Sequence, residues 1–114
     1  MDKSQLPFIS ATELASLFKA REVSPVEATE AYLERIPQID GQLNSYITVT
    51  ADRALSDARR AEQEIVSGKY RGPMHGMPTA VKDQVNTKGI LTTGGSTILK
   101  GFVPDEDATV ITKL

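Results

Sequence analysis

Apolar positions recur at intervals of three and four through the first two-thirds of the chain and lose that rhythm afterwards. Leu14, Leu17 and Phe18 share one helical face behind a capping box of Ser10 and Glu13, so a helix is predicted from there to about Arg21. A stronger start follows in Ser24-Pro25-Val26-Glu27. Pro25 takes the first helical position, where its missing N–H costs nothing, and Glu27 completes a second box. Val26, Leu33 and Ile36 mark the buried stripe of this helix, which should stop or kink at Pro37. Residues 38–44, around Asp40-Gly41, read as a turn, and 46–49 are β-rich but short. Thr50 is placed to cap a third helix, with Ala51, Ala54, Leu55, Ala58 and Ile65 at helical spacing and Gly68 as its stop. Its opposite face, with Asp52, Arg59, Arg60, Glu62 and Glu64, reads as solvated.

The character changes at Gly68. Beyond it come Gly72-Pro73, Gly76, Pro78, Gly89, Gly94-Gly95 and Gly101, with 78–85 as the best strand candidate, centred on Ala80 and Val81. Residues 105–114 begin like another helix, acidic first and then Val110 and Ile111. The expected organisation is a mainly helical 1–68 and Gly-rich loops over 69–114, with a core strand near 79–85. One strand without a partner makes no sheet, so the chain reads as a truncated piece of an α/β protein.

Composition narrows the functional classes. The 114 residues carry 13 Lys+Arg against 15 Asp+Glu, a formal charge of −2, which disfavours a protein that coats nucleic acid. There is no cysteine, hence no disulfide, thiolate metal site or cysteine nucleophile. Residues 1–10 lack a basic patch followed by an apolar stretch, so no signal peptide is expected. No run approaches the roughly 18 apolar residues of a membrane span, and a soluble, cytoplasmic protein is expected.

Candidate chemistry gathers in Gly72-Pro73-Met74-His75-Gly76-Met77-Pro78-Thr79-Ala80-Val81-Lys82-Asp83. A desolvated lysine can act as a base near neutral pH, whereas a solvated one stays protonated. Residue type and position leave Lys82 open between that role and a solvated lysine at a strand end, paired with Asp83. His75 has no second histidine, since the chain holds one, and no carboxylate at ligand spacing, which favours loop packing over a metal site. The glycines match neither a phosphate-binding loop nor a dinucleotide fingerprint.

The run GPMHGMPTAVKD, followed by TTGGS (residues 92–96) and VPDEDATV (103–110), strongly resembles the front part of amidase signature enzymes. The leader SPVEATEAYLERI, the NSYITV stretch and the Ala-rich helix are similar to that family in the same order, so the resemblance covers about Ser10 to Leu114. It implies a mixed central sheet surrounded by helices, with 79–85 as its first core strand. It also implies cleavage of a carboxamide C–N bond through a Ser–cis-Ser–Lys triad, in which Lys82 matches the lysine. The two serines belong to segments that the resemblance places after Leu114. Ser96 is not one of them and is assigned a turn or capping role, and Asp83 a structural one. No cofactor or metal is implied, and the expected partner is a small amide substrate, with no nucleic acid or membrane and with a homodimer possible. Two alternatives stand beside this reading. One is the A subunit of the tRNA-dependent amidotransferase, which works with partner subunits. The other is a catalytically inert helical fragment or docking module.

Overall fold

The computed structural model describes residues 2–114. Packing divides them into one unit made of 2–46 and 50–78, and another made of 47–49 and 79–114.

The first unit is helical. A 3-10 helix, Lys3–Phe8, leads into α1 (Ala11–Ala20), α2 (Pro25–Leu43) and α3 (Ala51–Val66). The starts follow the expected capping chemistry. The Glu13 N–H donates to Ser10 Oγ at 3.1 Å, and at α2 the Ser24 and Glu27 side chains each accept the other's main-chain N–H. Thr50 departs from expectation, because its side chain makes no cap bond to α3.

The helix ends are closed just as locally. α1 ends on Arg21 at φ 60, with the Arg21 and Glu22 N–H groups donating back to Phe18 and Leu17 carbonyls. α3 ends on Gly68 at φ 86 with the same pair of bonds, from Gly68 to Ile65 and from Lys69 to Glu64.

α2 corrects the sequence reading. It passes through Pro37 and Gly41 without a break and stops only at Asn44, in the left-handed conformation at φ 52. Pro37 forfeits one helical hydrogen bond on an exposed position, while Ile36 and Ile39 on either side stay half-buried. Asp40, expected in a turn, instead finishes the helix. Its carbonyl accepts from the Asn44 N–H and its carboxylate from the Ser45 N–H, both at 2.7 Å.

The core of this unit is Leu6, Leu14, Phe18, Val23, Ala28, Ala31 and Ile65, with Ile9, Leu17, Tyr70 and Met77 packed against it. Ala28 and Ala31 on α2 and Ala58 and Ala61 on α3 are buried, and such small residues let helices approach closely.

The second unit is built of turns. Its regular pieces are a 3-10 turn, Thr97–Leu99, and the short α4 (Thr109–Lys113), which starts later than the acidic run at 105–107 had suggested. Among the described residues there is no strand, so the core strand expected near 79–85 and the α/β class built on it are corrected. Residues 79–82 are irregular and 83–85 form a turn, closed by the Val85 N–H on the Lys82 carbonyl at 2.9 Å. The β-favouring residues are present, but a strand exists only through a ladder, and no other described segment supplies one. Isolated main-chain bonds connect this unit instead, from Thr92 to Phe102, Gly89 to Pro104 and Ala108 to Asn86.

Candidate active site

The glycine-rich motif straddles the division at Pro78. Its first half is fastened to the helices. Gly76 has φ +81, and a Cβ there would stand 2.6 Å from Pro25 Cγ and 3.4 Å from Ala61 Cβ, so only glycine fits. Met77 joins the core just after it.

His75 is the buried polar group of this half, with its side chain 2% exposed. The Arg71 main-chain N–H donates to Nδ1 at 3.1 Å. Nε2 accepts from Arg71 Nε at 3.3 Å and lies 2.9 Å from Glu64 Oε2. Arg71 Nη2 reaches the same enclosed oxygen at 3.0 Å; both nitrogens are at ion-pair distance, and neither makes an aligned hydrogen bond to it. His75 thus packs a loop, as its residue type suggested. Glu64 does not behave as a member of a solvated face, since α3 turns its carboxylate inward onto the motif. Nothing in the helical periodicity signals that pairing, because the two residues are eleven positions apart and joined by a left-handed turn at Gly68.

The second half carries the candidate base. The Lys82 side chain is exposed and makes no hydrogen bond or ion pair among the described residues. The pairing with Asp83 that its neighbour suggested is not formed. Asp83 turns instead to the loop at 93–95. Its carboxylate accepts from the Thr93 N–H at 2.9 Å, from the Thr93 hydroxyl and, at 3.4 Å, from the Gly95 N–H. Its own carbonyl accepts from the Gly94 N–H at 2.8 Å. The Thr93 hydroxyl, and then the Thr93 N–H, hold the Asp83 carboxyl below the ordinary carboxylate range. Gly94 and Gly95, at φ 57 and 68, make the left-handed turn that lets these N–H groups converge. Ser96 caps the 3-10 turn, accepting from the Ile98 N–H at 3.3 Å, which is the local role expected of it.

A shallow, open depression of about 450 Å³ in this unit has Gln84, Val85, Asn86, Glu106 and Asp107 among its lining residues; Lys82 is not one of them. Among the described residues no cluster of three His, Asp or Glu side chains could hold a metal ion, and no helix is long and apolar enough to cross a membrane.

Comparison with known proteins places this arrangement. The family model named Amidase matches residues 27–114. The A subunit of glutamyl-tRNA(Gln) amidotransferase from Geobacter sp. (strain M21) is 50% identical over 102 residues, covering 90% of this chain and 21% of that protein. The protein of the same name from Carboxydothermus hydrogenoformans is 40% identical over 110 residues, 96% of this chain and 23% of that protein. AmiD of Mycobacterium tuberculosis (strain CDC 1551 / Oshkosh), an amidase by name, is 40% identical over 114 residues, 100% of this chain and 24% of that protein. The chain thus spans roughly a fifth to a quarter of the length of the curated relatives it matches. With the motif order and the family match in agreement, the chain belongs to the amidase family.

Proposed function

We propose that this chain supplies the base of an amide-cleaving active site, with Lys82 as the proton-handling residue of a Ser–cis-Ser–Lys triad. The observation that carries this reading is the position of Lys82, which matches the family's lysine in GPMHGMPTAVKD on a turn that Asp83 braces; its side chain is exposed in this chain, so the neutral form the role needs requires burial by residues outside it. Neutral lysine takes the proton of a bridging serine, which in turn takes that of the nucleophilic serine. The serine oxygen adds to the carbonyl carbon, the C–N bond breaks, and the leaving nitrogen receives the proton. Water then releases the acyl group as a carboxylic acid. Both serines match no position in this chain, so the triad is completed by residues outside it. The substrate class is a linear carboxamide and the setting cytoplasmic.

A second reading has its own support, because several of the most similar relatives carry the name of the glutamyl-tRNA(Gln) amidotransferase A subunit. In that case ammonia is drawn from glutamine and passed on with the help of partner subunits. The test is ammonia release by the complete gene product from simple amides and from glutamine, alone and with added partner subunits. Release from amides by the isolated protein supports the stand-alone amidase. Release from glutamine only with partners supports the amidotransferase. In either case Lys82→Ala is expected to lower the rate at least about 1,000-fold, the scale on which loss of a triad member acts. A near-normal rate in that variant removes Lys82 from the role of base.

A further inference from the structure

We propose that Asp83 is the positioning residue for Lys82, tying the turn that carries it to the Thr93–Gly95 loop. The proposal rests on the reading of Lys82 as the base and adds the residue that holds it in place.

Lys82 itself has nothing to locate its side chain. A free lysine stem is ordered only at a cost in rotamer entropy, so the placement of its main chain decides where the nitrogen can reach. That main chain is held from one side by the bond between the Val85 N–H and the Lys82 carbonyl. Asp83 follows directly on that same side, one peptide bond away. Asp83 is bonded twice over to the same loop: by its carboxylate to Thr93 and Gly95, and by its carbonyl to Gly94. A side chain and a main-chain group gripping one loop together leave residue 83 little freedom to rotate.

An acid–base role for Asp83 itself fits poorly. Oδ1 accepts from the Thr93 N–H, and Oδ2 accepts from the Thr93 hydroxyl and the Gly95 N–H, three donors that favour the charged carboxylate and weaken it as a proton acceptor. Thr93 is buried and spends its hydroxyl proton on this carboxylate, which argues equally against Thr93 as a nucleophile. Asparagine at 83 would keep one acceptor but aim an amide N–H₂ at a donor, breaking one arm of the grip.

The test uses the complete gene product. In Asp83→Asn the expected result is a kcat about 10- to 100-fold lower with KM within about twofold, because a misplaced catalytic group loses rate rather than affinity. Thr93→Val removes only the hydroxyl arm and should show the same split to a smaller extent, while Thr93→Ser, which keeps the hydroxyl, should lose less than Thr93→Val. If Asp83→Asn does not fold, the Thr93 pair carries the test alone. A kcat within twofold of the parent in Asp83→Asn, equal losses in Thr93→Ser and Thr93→Val, or a rise in KM with kcat unchanged would overturn the proposal. Failure of the base reading is seen separately, as a Lys82→Ala variant that still turns over.

Discussion

The two units of this chain are held together by different forces. The unit of 2–46 and 50–78 buries large apolar side chains, with Phe18 and Leu14 each 1% exposed, beneath helices closed at their ends by caps. In the unit of 47–49 and 79–114, the buried side chains are Thr92, Thr93 and Pro104. Its larger apolar residues, among them Ile98, Phe102, Val103 and Val110, lie exposed. One unit therefore draws its stability from apolar surface removed from water, and the other from turn geometry and hydrogen bonds that compete with solvent. The candidate base is on the second. Loops that carry function are commonly drawn from the less stable parts of a fold and braced by a few polar contacts, and Asp83 is such a brace.

The largest effect that would probe this contrast is in the core. Phe18→Ala is expected to cost about 3–5 kcal/mol, the range for deleting a fully buried aromatic ring. Urea unfolding followed by helical circular dichroism measures it, and a loss under about 1 kcal/mol would mean that the helical unit is not held by that core.

A smaller effect is expected where the motif meets the helices. Gly76→Ala combines a left-handed backbone with a Cβ driven against Pro25, and about 1–3 kcal/mol is expected, read from the same unfolding curve. An unchanged midpoint would show that the first half of the motif is not seated on α2 and α3.

The smallest effect is a response to acid in the second unit. The Asp83 carboxyl lies below its ordinary value of 3.8 because Thr93 donates to the charged form. A depressed carboxylate contributes stability that is complete above its unfolded value and is lost as pH falls through the folded one. The protection of the Thr93 and Gly95 amides, taken relative to the intrinsic exchange rate at each pH, should therefore stay constant from neutrality down to about pH 4 and fall only below that, while the helical core amides keep theirs. Loss of protection at those amides already near pH 6 would remove Asp83 as the group that holds the loop.

Much of the helical unit was legible because its determinants are local. Ser10, Ser24, Pro25 and Gly68 act on main-chain groups within three or four residues, so a reader of the sequence sees both partners at once. The same local logic misjudged Pro37 and Asp40-Gly41. Their turn preferences were overridden by a helix whose neighbouring Ile36 and Ile39 stay half-buried. For the site, the motif order pointed to Lys82 and to the family, and Ser96 took the capping role its spacing suggested.

The amino-acid order by itself determined the starts of the first two helices, the stop of α3 at Gly68, the reading of Ser96 as a cap and the ordered motifs of the amidase family. Only the tertiary structure decided that 79–85 forms no strand, that Glu64 turns inward to His75, that Gly76 lies against Pro25, and that Asp83 serves Thr93 rather than Lys82. The physical reason is distance along the chain. Caps and periodicity are contacts between near neighbours, whereas a ladder, a buried polar contact or a loop clamp needs partners that folding alone brings together.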